Sequence, residues 1–283
     1  MRGLVVLAAA IGGCALVLWL GPAMAERLLP LLGDAGQNMA WAETLFAAVI
    51  FGALLMVALA GGAWAGLNPL AAGRDRAAML AAGILVGASG VVVATIFARL
   101  AGGLGQGASP TAGLGLAVWG SAVILFAAAT EEIYFRGWLQ PALARDFGLP
   151  VAITISALAF AALHLMGGAR SPTTLVNLFL GGLLFGLLAA RSGGLAGAAA
   201  AHAAWNWSEQ IGLGLDPNPG VGSFGAFVDL ELKGKALWGG SDEGLNASLG
   251  MTIALCALLV PVMILTRRRL VGDTGQVETA AAK

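Results

Sequence analysis

Apolar residues in this chain fall into blocks long enough to cross a bilayer, whose hydrocarbon core of about 30 Å takes roughly 20 residues of helix. They predict eight spanning helices, over residues 4–25, 38–60, 76–98, 111–136, 150–167, 173–190, 194–212 and 249–266. Polar and turn-forming residues punctuate the blocks. Ser109-Pro110 and Ser171-Pro172 each set a cap residue before a proline whose missing N–H is harmless in a first helical turn, and Gly148 with Pro150 marks a turn. One connection is long, 213–248, rich in glycine and carrying Asp216, Asp229, Glu231, Asp242 and Glu243; a short surface helix is expected near 224–235. The chain therefore reads as a single all-α, polytopic membrane domain over 1–283.

Composition agrees. The 283 residues are 59% hydrophobic and 11% charged with 43 glycines, against roughly 25% charged and about 7% glycine in ordinary soluble domains. Formal net charge is zero, which gives no footprint for a nucleic-acid partner. Membrane lipids and a peptide or protein substrate are the expected partners. Cys14 and Cys256 lie in apolar runs and read as small buried hydrophobes. Gly181, Gly182, Gly186, Gly193, Gly194 and Gly197 suggest close helix packing, and Asn177 an interhelical hydrogen bonder.

Basic residues set the orientation. With the amino terminus inside, Arg2, Arg74, Arg76, Arg136, Arg145, Arg191, Arg267, Arg268, Arg269 and Lys283 lie inside, while Arg27, Arg99, Arg170, Lys233 and Lys235 lie outside. Both termini are expected to be cytoplasmic and the 213–248 loop extracytoplasmic. A rival reading takes residues 1–25 as a cleaved signal peptide ending at Ala23-Met24-Ala25, without altering the remaining topology.

Ionisable groups inside a span are costly and mark functional sites. Glu131 and Glu132 are an adjacent acidic pair at the end of an apolar run, and the only histidines, His164 and His202, fall in later spans. Glu132 and Arg136 are four apart and can pair across one helical turn, whereas Glu131 is turned about 100° away. Counting from the turn near residue 147 brings Glu131 and His164 to similar depths, and Asn206 follows His202 by one turn. Pro141 is expected to kink or interrupt the fourth helix.

These groups suffice to hydrolyse an amide: a glutamate takes a proton from water, one imidazole orients that water or protonates the leaving amine, and the other imidazole with Asn206 stabilises the oxyanion. Phe135, Trp138, Phe160 and Trp205 are candidates to line an apolar groove, with packing as their ordinary alternative. Two histidines and a glutamate could also hold zinc, although no His-Glu-x-x-His motif is present; no metal or cofactor is expected. The same polar groups also suit a scaffold that binds a membrane peptide without cutting it, or a proton-coupled transporter. No internal repeat of the transporter kind is visible.

Taken in order, Glu131-Glu132-x-x-x-Arg136, Phe160-x-x-x-His164 and His202-x-x-x-Asn206 resemble the three motifs of the CAAX-protease and bacteriocin-processing (Abi) family of intramembrane glutamate endopeptidases. The resemblance spans roughly 111–212, which it marks as the catalytic core. It implies about eight helices around a conical cavity open toward the cytoplasm and the lipid. It assigns Glu131 to water activation, Glu132 and Arg136 to its support, His164 to the water, and His202 with Asn206 to the oxyanion site. Eukaryotic relatives remove the last three residues of prenylated proteins, while bacterial relatives act in other settings, bacteriocin immunity among them. The Ala- and Gly-rich composition fits a multi-pass protein of a bacterial cell membrane.

Overall fold

The computed structural model describes residues 2–107, 113–218 and 222–280; Ser109-Pro110 and Lys283 lie outside them. Helices α1 (Arg2–Leu28), α2 (Met39–Trp64) and α3 (Arg76–Leu100) are followed by α4 (Leu114–Glu132), which continues through a π-helical stretch (Ile133–Leu139) into α5 (Gln140–Phe147). Then come α6 (Leu149–Leu163), α7 (Pro172–Ser192), α8 (Ala196–Trp207) and α9 (Leu249–Ala280). Six of the resulting segments are long and apolar enough to cross a bilayer. The two others expected to span, α6 and α8, have only 15 and 12 residues.

Local chemistry explains the two short helices. Helix α6 ends at His164, before a turn in which Gly168 takes φ 110°. Helix α8 begins inside the molecule: the Leu195 and Ala196 amides donate to the carbonyls of Ala71 and Ala72, so the 65–75 connection satisfies N–H groups that a helix start leaves unpaired. The fourth helix also departs from expectation. Pro141 does not interrupt it, because Pro141 falls in the first turn of α5, directly after a wide π turn closed by the Gln140 amide on the Phe135 carbonyl.

The helices present two opposite faces. One, the terminal face, joins the start of α1 to the end of α5 through Gly3 N–H on Asp146 (2.7 Å), and ties Arg191 to the Leu265 carbonyl of α9 (2.8 Å). The other, the loop face, carries residues 213–248. The surface helix expected near 224–235 is absent there: Gly225 and Gly234 take φ values of 68° and 85°, which break a helix. Instead β2 (Leu230–Leu232) pairs antiparallel with β1 (Leu104–Gln106). Phe224 is fully buried, against Trp119 (5.7 Å) and α4.

Two large apolar clusters form the core. One joins α3, α7, α8 and α9 around Val91, Leu184, Ala201 and Met251; the other joins α1, α2, α5 and α6 around Val6, Leu54, Leu143 and Phe160. Helices α3 and α8 approach closely because Gly83 and Gly87 face the α8 backbone, where added Cβ atoms would lie 2.4 Å from the Gly197 carbonyl and 2.2 Å from that of Ala201. Gly182, Gly186, Gly194 and Gly197 are close-packed as expected, but Gly181 and Gly193 have open space around them, and Gly193 instead takes the left-handed conformation that ends α7. Asn177 does bridge helices, donating to the Asn246 and Ser248 carbonyls (2.9 and 3.0 Å) and accepting from Thr252 (2.7 Å). Cys14 is buried, whereas Cys256 is exposed on the outer side of α9.

Candidate active site

The site is built on the π-helical stretch. A π turn inserts one residue into a helix and so re-aims the side chains on either side of it. Here Tyr134, Phe135, Trp138 and Leu139 fill the second apolar cluster while Arg136 turns toward α7. The Arg136 guanidinium donates from Nη1 to Glu132 Oε1 (2.8 Å) and from Nη2 to the Gly182 carbonyl (2.9 Å). One turn later Gln140 Nε2 donates to the Gly186 carbonyl (3.1 Å), so α7 is held to this helix by two side chains in equal register. Arg136 also lies against the rings of Phe135, Phe160 and Phe185, at 5.6, 4.9 and 5.5 Å from their centroids. The cation thus sits on the seam between the two apolar clusters.

Glu132 holds His202 in turn. His202 Nδ1 lies 2.8 Å from Glu132 Oε1, and its Nε2 points to Glu131 Oε2 at 3.7 Å. With Glu132 ionised against Arg136, Nδ1 carries the proton it donates. The ring is stacked on Phe185, 4.8 Å away with planes 15° apart. Glu132 and Arg136 have no side-chain exposure, whereas Glu131 retains 20%. The adjacent glutamates therefore have different environments, one locked in an ion pair and the other at a cavity wall.

That cavity, about 350 Å³, is lined by Glu131, Phe160, His164, His202, Trp205 and Asn206 among others. His164 Nδ1 lies 2.7 Å from the Phe160 carbonyl. A carbonyl only accepts, so Nδ1 bears the proton and Nε2 is left with a lone pair. Two of the four expected groove residues, Phe160 and Trp205, line the cavity. Phe135 and Trp138 do not: both are buried, and Trp138 packs where a Cβ on Gly61 would meet it at 2.3 Å. The π turn is the reason, since it carries both rings away from the face a regular helix would give them.

Phe185 and Glu209 complete the wall and escape a reading by motif. Glu209 lies seven residues beyond His202 in the predicted 194–212 span, so a carboxylate in an apolar run was the available signal. At the outer end are Gly167, Gly168, Ala169, Asn218, Asp242 and Glu243, all from the loop face. The cavity therefore opens on the side of the 213–248 loop, and the expected cytoplasmic mouth cannot coexist with an extracytoplasmic loop. Glu243 closes one edge by accepting the amides of Arg170 (3.1 Å) and Ser171 (2.8 Å). Burial pushes its carboxyl up, but those bonds and the Arg170 charge outweigh this and hold it below the usual glutamate value. No group of three or more His, Cys, Asp or Glu side chains among the described residues is arranged to hold a metal ion.

Residues 113–208 match the family described as Type II CAAX prenyl endopeptidase Rce1-like. Over this segment, about a third of the chain, the protein is similar to the CAAX-protease family. The segment contains α4, the π turn, α5, α6, α7 and α8, and with them Glu131, Glu132, Arg136, His164, His202 and Asn206. Glu209, the loop and the outer helices α1, α2, α3 and α9 lie beyond the matched CAAX-protease residues. No curated protein and no solved structure matches the chain.

Proposed function

We propose that the protein is an intramembrane endopeptidase in which Glu131 activates water against a peptide carbonyl. The observation that carries this reading is the unequal pair: Glu132 is consumed by Arg136 and His202, while Glu131 stands at the cavity wall facing His202 Nε2. Glu132 Oε2 and Arg136 Nε are buried without a hydrogen-bond partner among the described residues, an arrangement poorly suited to stability and better explained by a task. Similarity to a protease family over 113–208 supports the same chemistry.

In this mechanism Glu131 takes the proton of a water whose other hydrogen is accepted by His164 Nε2. The hydroxide forms a bond to the carbonyl carbon, and the carbonyl π pair moves onto oxygen, where the Asn206 amide donates to it. Collapse breaks the C–N bond, and the proton held by Glu131 passes to the amine. Once Glu131 has taken the water's proton, His202 Nε2, held in place by Glu132, faces it as an acceptor. Oxyanion donors of this kind typically contribute 10²–10³ in kcat.

The test is mass-spectrometric mapping of peptides from membranes containing wild type, Glu131→Gln or His164→Ala. Fragments found with wild type and missing with both variants, at equal expression, are the expected result. Indistinguishable profiles, with a cellular effect that survives Glu131→Gln, would replace the hydrolase by a peptide-binding scaffold.

A further inference from the structure

The cavity contains a carboxylate for which the hydrolytic chemistry has no use. Glu209, 4% exposed, lines it from the π-helical stretch Ser208–Gly212 that extends α8. Its partners are neutral: Trp205 Nε1–H donates to Oε1 at 3.2 Å, and the Asn218 amide supplies a second bond. Among the described residues, no lysine or arginine lines the cavity. Its polar wall is made of the amides of Asn177, Asn206, Gln210, Asn218 and Asn246, with carboxylates at Glu131, Glu209, Asp242 and Glu243. Glu132, the other nearly buried acid close by, has an arginine bonded to it. Glu209 has none, its nearest titratable cation being His202 across the cavity, and a buried carboxylate whose hydrogen-bond donors are all neutral gains strongly from an arriving cation.

From this we infer that Glu209 is a specificity-determining residue that receives a cationic group of the substrate, a Lys or Arg side chain or a free amino terminus. The inference rests on the hydrolase reading for the word substrate, but not for the binding it describes. Distance restricts where the cation sits. Seven residues of helix separate Glu209 from His202, about 10 Å, which an extended peptide covers in about three residues. The cation is therefore a side chain one or two residues from the scissile bond, or a terminal ammonium about three residues away. Trp205, whose indole N–H is committed to Glu209, adds an aromatic wall suited to the same charge.

Binding can be measured apart from turnover. Dansyl-labelled pentapeptides carrying Lys or Gln at the central position, each with a free or an acetylated amino terminus, are titrated against the full chain in nanodiscs, in the Glu131→Gln background so that nothing is cut. A charge-assisted contact predicts at least about tenfold tighter binding of one cationic form over its neutral match. If the side chain is the ligand, Lys exceeds Gln at either terminus; if the terminus is the ligand, free exceeds acetylated for both. Adding Glu209→Gln brings the forms within about twofold of each other, and Glu209→Asp restores part of the difference. Equal binding of all four peptides, or a preference that survives Glu209→Gln, overturns the inference. Turnover of the same peptides by wild type against Glu131→Gln reads the hydrolase proposal separately, so a cation preference without cleavage would sink the latter alone.

Discussion

Two neighbouring glutamates with identical side chains are given opposite work by what surrounds them. Glu132 is part of the frame: Arg136 bonds it, and it orients His202. Removing one partner of a buried pair leaves the other charge unpaired in an apolar seam, at a cost of about 3–5 kcal/mol. Arg136→Leu is therefore expected to lower the thermal unfolding midpoint of the purified protein sharply and abolish turnover with it. Glu131→Gln should leave the midpoint near that of wild type while reducing kcat by about 10²–10⁴; a midpoint that falls as far as in Arg136→Leu would place Glu131 in the frame as well. The polar residues of the three motifs were legible in the sequence because an ionisable group in an apolar run has few ordinary explanations; Glu209, outside any motif, was not singled out. The aromatic members were not, since a π turn has no sequence signature that periodicity can detect, and it is the π turn that removes Phe135 and Trp138 from the cavity.

At the level of elements, the site depends on approaches that only glycine permits. Helix α8 carries His202, and its place against α3 is set by Gly83 and Gly87. Gly87→Ala puts a methyl 2.2 Å from the Ala201 carbonyl, next to His202; overpacking of this kind costs about 1–3 kcal/mol. We expect a reduced kcat at nearly unchanged expression, whereas Gly12→Ala, with open space around it, should match wild type in both. The helical blocks themselves were legible, because lipid demands length and apolarity. The shortness of α6 and α8 was not, because it depends on a turn at Gly168 and on the 65–75 connection supplying acceptors to the start of α8. Nor was the β1–β2 ladder, whose strands are three residues each and come from segments more than a hundred residues apart. The loop's hold on the start of α7 runs through Glu243, whose carboxyl is held below its ordinary value. Its contribution is complete above the unfolded glutamate value of about 4.3 and disappears as pH falls through the lower folded value. Protection of the Arg170 and Ser171 amides, taken relative to their intrinsic exchange rates, should therefore persist from neutral pH to about pH 4 and fall below it. Glu243→Gln should show faster exchange already at neutral pH, with that acid step gone.

For the molecule as a whole, the decisive question is which compartment the cavity faces. Its mouth is formed by Gly167, Gly168, Asp242 and Glu243, on the face opposite Arg145, Arg191 and Arg267 to Arg269. Arg136 is buried at the site and does not count toward either side, yet the terminal face still carries more basic residues than the loop face. Basic residues near span ends favour the cytoplasm, so the terminal face is expected inside and the cavity mouth outside, with substrate presented from the extracytoplasmic leaflet. The test is labelling of intact cells with a membrane-impermeant maleimide, using Asp242→Cys and Asn68→Cys in a chain whose Cys14 and Cys256 are replaced by serine. Asp242→Cys should react in intact cells, and Asn68→Cys, exposed on the terminal face, only after permeabilisation. The reverse pattern would turn the cavity toward the cytoplasm, as resemblance to CAAX proteases implies. The Arg267-Arg268-Arg269 run would then lie outside, and a carboxylate-lined mouth would receive cytoplasmic peptides instead of exported ones.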